Sequence, residues 1–143
     1  MAGKVHGKDS YFAIEDSGAV TLRNIGVHCD SITLDRDIDM AETTTIGAES
    51  KTWLPGLDGA EISLGGKFDS LAATGPDVVL SGDFAAKVKV GFEYGPEGNT
   101  AGMVKYSGEC YVSKYQVSTP LEGIVKFSAT IKVDGAVARG VFP

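Results

Sequence analysis

Residues 123–133, "GIVKFSATIKV", alternate without a fault. Val125, Phe127, Ala129, Ile131 and Val133 take one side, and Lys126, Ser128, Thr130 and Lys132 take the other. Successive side chains of a strand point to opposite faces, so this is a strand with one apolar and one wet face. A sheet wet on one side is antiparallel, because parallel sheets are covered on both.

The same period recurs outward from this stretch. "FAAKVKVGFEY" (84–94) puts Phe84, Ala86, Val88, Val90, Phe92 and Tyr94 inward, with Lys87, Lys89 and Glu93 outward. Gly95-Pro96-Glu97-Gly98-Asn99 is dense in turn formers, and "MVKYSGECYVSKY" (103–115) returns as its hairpin partner. "AEISLGGKFD" (60–69) places Ala60, Ile62, Leu64 and Phe68 on one face. "YFAIED" and "AVTLRNI" flank Ser17-Gly18 as a second hairpin. "HCDSITLD" (28–35) is a weaker strand, and "AVARGVF" (136–142) is expected to add an edge strand. One short helix is expected over about 75–81, with Thr74 as cap, Pro76 in the first turn and Gly82 as stop. The fold class is therefore mainly β: an antiparallel sandwich or half-barrel with one short flanking helix, in a single domain spanning 1–143.

Asp39–Leu57, "DMAETTTIGAESKTWLPGL", fits neither period. Nineteen residues exceed what a compact domain spends on one connection, and loops of that length are functional or disordered. This one ends in an apolar Trp53-Leu54-Pro55-Gly56-Leu57 tip. An apolar tip that is not buried at home is buried on a neighbour, and tryptophan is enriched at interface hot spots.

Composition narrows the function. With 43% hydrophobic and 22% charged residues, the chain is globular in character. A net charge of −6 argues against phosphate-backbone binding, which relies on Lys and Arg. Cys29 and Cys110 lack the spacing of a metal or redox pair and read as buried free thiols. No apolar run near the N-terminus suggests a signal peptide and none is long enough for a membrane span, so synthesis in a reducing cytoplasm is expected.

Catalytic and metal chemistry find no constellation. His28 and Cys29 lack a second ligand pair. Asp35, Asp37 and Asp39 imitate the start of a calcium loop, but Met40 stands where its glycine belongs and Ile46 where its final glutamate belongs. "GPEGNTAG" lacks the lysine of a phosphate cradle, and no serine is paired with a placed histidine. No enzyme activity and no cofactor are expected.

The stretch "SITLDRDIDMAETTTIGAESKTWLPGLDGAEISLGGKFD" (31–69) resembles the signature region of the major tail tube proteins of bacteriophages with long, non-contractile tails. "VKVGFEYGPEGNTAGMVKYSGECYVSKYQVSTPLEGIVKFSATIKVDGAVARGVF" (88–142) is similar to their C-terminal half. The resemblance implies a structural virion protein that forms hexameric rings stacked into a hollow tube for the genome. Its partners would be copies of itself, the tape measure and the tail terminator, with DNA passing the lumen unbound and no membrane involved. Glu42, Thr43, Thr44, Thr45, Lys51, Trp53, Leu54, Pro55 and Leu57 would form the stacking loop, the threonines pairing on a neighbour's strand and Trp53 anchoring it. The resemblance leaves the lumen residues unassigned, although the acidic balance suits a lumen that repels phosphate. Two departures are expected: no further immunoglobulin-like domain after Pro143, and a helix shortened by Gly75-Pro76. The alternatives are a head decoration or head–tail connector protein and a ligand-binding β-sandwich.

Overall fold

The computed structural model describes residues 7–18, 21–69 and 75–143. Seven strands form one antiparallel sheet: β1 (Tyr11–Glu15), β2 (Leu22–Asn24), β3 (Cys29–Glu42), β4 (Trp53–Lys67), β5 (Val90–Gly95), β6 (Val104–Ser118) and β7 (Lys126–Val141). Their spatial order is β2-β1-β5-β6-β7-β4-β3. One helix, α1 (Pro76–Ala86), lies between β4 and β5 in the chain and packs on β6.

The connection from β2 to β3 shows that the sheet is curled. These two strands are its opposite edges, yet only a single 3₁₀ turn, Gly26–His28, joins them. The chain from Asn24 to Cys29 can span at most about 17 Å. In a flat sheet of seven strands the edges would stand about 29 Å apart. The edges must therefore approach each other, and the sheet rolls into a half-barrel. One apolar core fills the inside of the roll, drawing Phe12 and Ile14 from β1, Ile62 and Leu64 from β4, Val90 and Phe92 from β5, Val112 from β6 and Phe127 and Ile131 from β7. Phe12 and Phe92 stack at 6.4 Å within it. At Gly66 a Cβ would collide with the His28 carbonyl, so the edge-to-edge crossing requires glycine there.

Three expectations need correction. The helix does not stop at Gly82; it runs to Ala86 and ends with Lys87 in the left-handed region (φ 56°). Burial of Val79 and Leu80 on one helical face outweighs the roughly 1 kcal/mol that an interior glycine costs. Phe84 and Ala86 are thus exposed helical residues rather than inward strand residues, and the strand begins only at Val90. Thr74 lies outside the described residues, and Gly75 occupies the N-cap position without a side-chain cap. The C-terminal segment is not a separate edge strand but the second half of β7, paired with β6 from Val104↔Val141. A bulge carried by Gly135 (φ 85°) bends the strand and lets it continue.

The Asp39–Leu57 segment is also mostly strand. Met40↔Pro55, Ala41↔Leu54 and Glu42↔Trp53 extend the β3–β4 ladder, so the loop proper narrows to 43–52. A bulge between Ile38 and Met40 breaks the alternation, which is why the sequence shows no strand period there.

Asp83 is the one buried charged side chain among the described residues, and neither of its oxygens has a hydrogen-bond partner. Burial pushes its carboxyl group up to about 7, with Asp16 and Glu15 adding to the rise. The Ser17 amide faces it and opposes this, without the geometry of a hydrogen bond, so burial prevails. The folded state therefore holds a proton that the unfolded chain releases near the ordinary value of 3.8. That contribution to stability is full below about pH 4 and is lost as pH rises towards 7. Asp83→Asn removes this loss. In denaturant titrations from pH 4 to 8 its stability relative to the wild type should climb by a few kcal/mol, on the order set by the shift, and level off above pH 7. A constant difference across that range would show that Asp83 is charged in the fold.

Candidate assembly surfaces

Two features of the sheet are unfinished: an arm and a pair of open edges. The arm is the outer part of the β3–β4 hairpin. The ladder between β4 and β7 ends at Glu61↔Lys132, so residues 36–42 and 53–60 form a two-stranded ribbon with no third strand. Isolated two-stranded ribbons are marginal in water. This one also exposes Ile38, Met40, Trp53, Leu54 and Leu57, with Trp53 at 50% and Leu57 at 83% of full exposure. Met40, Glu42, Trp53 and Pro55 share one face by register, and Ala41 and Leu54 share the other.

The loop at the tip is held by its threonines. Thr43 N–H donates to the Thr52 carbonyl at 2.8 Å, and the Thr43 and Thr52 hydroxyls lie 2.8 Å apart. Thr52 N–H donates to Thr44 Oγ1 at 2.9 Å, and Ala48 N–H donates to the Thr45 carbonyl at 3.2 Å. The threonine run thus closes the base of its own loop. Lys51 and the fully exposed Ile46 project from that loop.

The open edges bound a four-stranded section, β6-β7-β4-β3. Among the described residues, no strand beyond β4 pairs with Cys29–Glu42. On the other side β5 pairs with β6 only as far as Val90↔Cys110, leaving Tyr111–Ser118 bonded to β7 alone. Because the four strands alternate in direction, β3 and β6 run oppositely. The β3 edge of one copy and the β6 edge of another would continue the same antiparallel ladder.

The outward face of this section is polar. Across it run Asp35, Glu61, Lys132 and Tyr111 in one row, and Thr33, Ser63, Thr130 and Lys114 in the next. Glu61 pairs with Lys132 at 2.9 Å, and Lys89 pairs with Asp134 at 3.2 Å. The opposite face carries the core and α1, tied to β6 by Tyr115 Oη donating to Asp77 Oδ1 at 2.9 Å.

Among the described residues, the candidate reactive side chains lie apart. Asp35, Asp37 and Asp39 are strung along an extended strand and cannot wrap an ion. Among the described residues no three His, Cys, Asp or Glu side chains converge as metal ligands. His28 Nδ1 lies 3.7 Å from Asp69 instead. Burial pushes the Cys29 and Cys110 thiols up to about 12, far from a reactive thiolate, and both are free. A depression of about 390 Å³ is lined by Lys8, Ser10, Cys29, Asp30, Ile32 and Tyr94.

No family model matches the chain, and no curated protein matches it by sequence. Solved structures match it closely in shape. The tail of an empty gene transfer agent particle, refined with C6 symmetry, superposes with a TM-score of 0.81 at 15% identity, covering 96% of this chain and 100% of that one. The SPP1 tail tube gives 0.78 at 12% identity, over 96% and 80%. A chain of the anti-feeding prophage baseplate, 6-fold symmetrised, gives 0.75 at 6% identity, over 99% and 98%. The chain therefore has the tail tube fold, as an antiparallel half-barrel with one flanking helix.

Trp53 tests the arm. Trp53→Ala should lower monomer stability by less than about 1 kcal/mol in denaturant melts, as for other half-exposed side chains. Ile62→Ala, in the core, should cost about 2–5 kcal/mol. Equal losses for the two would place Trp53 in the core.

Proposed function

We propose that this chain is the subunit of a tail tube: copies join edge to edge into hexameric rings, and rings stack through the β3–β4 arm into a hollow tube for genome passage. The observation that carries this reading is the pair of open antiparallel edges on β3 and on residues 111–118 of β6. Long unpaired edges are an aggregation liability unless something pairs with them. Closure into a ring pairs both of these long edges without a foreign partner. The six-fold symmetry of the gene transfer agent tail, on the same fold, supports six copies to the ring. Its virion setting supports a place in a phage-like tail. Structures of a tube-terminating cap on this fold support a terminator protein as a further partner, and a tape measure inside the tube is proposed by analogy with tails of defined length. The structures that share the fold are components of particles and injection systems, which supports a structural rather than an enzymatic role.

The arm lies beyond the strands that would form the ring wall, so it reaches past one rim towards the next ring. There the exposed Met40, Trp53, Leu54 and Leu57 would be covered. A ring with two unlike rims adds further rings head to tail and grows into an open filament.

Replacing 44–51 with a two-residue Asn-Gly turn separates the two steps. Electron microscopy across a protein concentration series should show wild-type rings and tubes. The shortened variant should give rings that do not lengthen. Tubes of normal length from the variant would remove the 44–51 loop from the stacking contact and leave that contact to Met40, Trp53, Leu54 and Leu57 of the ribbon, and wild-type monomers at every concentration would overturn the tail tube reading itself.

A further inference from the structure

We infer that Lys114 on the open edge of β6 and the aspartates Asp35 and Asp37 on the open edge of β3 make each edge accept the other kind and reject its own, so that copies of the chain join all one way up rather than in two-fold pairs. The inference rests on the ring reading above and adds to it the choice of partner edge.

The backbone alone leaves that choice open. An antiparallel ladder forms wherever two strands run oppositely. The β3 edge of one copy can meet the β6 edge of another, but two β3 edges, or two β6 edges, can equally meet about a two-fold axis. Two-fold pairing turns every second copy upside down and puts arms on both rims. Rings that stack head to tail need every copy the same way up. Main-chain bonds are of one kind in all these pairings, so the selection falls to side chains.

Register decides which side chains meet. Lys114 stands opposite Thr130, on the polar face, just past the irregularity between Val112 and Lys114. Thr33, Asp35 and Asp37 occupy the same face of β3, while Ile32 and Leu34 pack against the core. A sheet that continues into a second copy must keep its core faces together, because a slip of one residue turns every side chain over. The stretch of β3 free of irregularities, Ser31–Ile38, takes Tyr111–Ser118 along its whole length when Ser118 faces Ser31. That register sets Lys114 opposite Asp35. A shift of two residues either way sets Lys114 opposite Asp37, or opposite Thr33 with Asp35 as its diagonal neighbour, still within reach of a long side chain.

The charges on the two edges are unbalanced in opposite senses. Asp35 stands opposite Glu61, and Asp37 is the next polar-face residue along β3. Glu61 is held by Lys132 at 2.9 Å, and Arg36 lies on the other face, 6.0 Å from the Tyr106 ring. The β3 edge therefore presents more acid than the cation beside it matches. Lys114 is the only charged residue of Tyr111–Ser118, and among the described residues it lies in no ion pair. Opposite charges across neighbouring strands stabilise a ladder and like charges destabilise it. Pairing β3 with β3 sets aspartate row against aspartate row, and pairing β6 with β6 sets Lys114 against Lys114. Only the mixed pairing brings acid to base.

Electron microscopy and analytical ultracentrifugation of the full chain test this. At low salt Lys114→Glu, and separately Asp35→Lys with Asp37→Lys, should each raise the concentration needed for rings by about tenfold or more, since like charges then meet at every joint. Mixed one to one, the two variants should restore rings in which they alternate, an order that closes in a six-fold ring because six is even. Asp35→Asn with Asp37→Asn should let dimers appear beside rings, because a neutral β3 edge no longer rejects its own kind. High salt should weaken wild-type rings and strengthen those of either reversed variant. Circular dichroism checks that each variant is folded; if a reversed one is not, Lys114→Gln replaces it and should give weaker rings that salt affects less. Rings from a folded reversed variant at the wild-type concentration, no rings on mixing the two, no dimers from the asparagine variant, or wild-type salt dependence in Lys114→Gln would each overturn the inference. Wild-type monomers at every concentration would instead count against the ring reading, a failure seen before any variant is made.

Discussion

Unpaired backbone on two strand edges is the constraint around which this molecule is organised. A strand edge presents N–H and C=O groups that need partners, and proteins normally cover, shorten or charge it. Here β3 offers fourteen residues of open edge and β6 a second run, 111–118, of opposite direction. At the β1 side the chain uses the other strategy, ending the sheet in a three-residue β2. The short edge is the blunt one, and the long edges are matched to each other.

The curl of the half-barrel keeps these roles apart. The tight connection through Gly26–His28 pulls β2 towards β3, which closes the core over Phe12, Ile25 and Phe92. With the core closed on one side of β6-β7-β4-β3, the other side is left for small polar side chains. Gly66, where the crossing backbone leaves no room for a Cβ, and Gly135, which bends β7, place the glycine-rich character of the sequence at the points of curvature. The same β7 bend brings Asp134 to within reach of Lys89, so a feature of fold geometry sets an electrostatic pair on the polar face.

Local alternation made much of this architecture legible. Residues 126–133 and 90–94 are strands in the structure with the facing that their period dictates, because a half-buried strand writes its burial into every second residue. The helix was only partly legible. Residues 84–88 alternate by coincidence, and Gly82 reads as a stop, whereas burial of Val79 and Leu80 anchors a helix that runs to Ala86. Asp83 itself gives no signal, since an aspartate in a helix is ordinarily solvated. The threonine run of the 43–52 loop was legible as unusual, but its hydrogen bonds to Thr52 depend on a fold-back that no period encodes. Edge against interior is the least legible property, because it depends on which strands find each other rather than on any strand's own composition.

That gap explains why the polar face escapes a reading of charge alone. A net charge of −6 describes the whole chain, whereas the charges that one face presents are set by register. Glu61 and Lys132 are 71 positions apart in sequence yet opposite each other across β4 and β7. One residue of register slip would turn both to the core side and set Ile62 and Ile131 outward. The apolar core therefore fixes the register, and the register fixes the pairing of charges on the other face. Stability and surface electrostatics are here two sides of the same ladder, so a core substitution that shifts register would alter the polar face without touching a single charged residue.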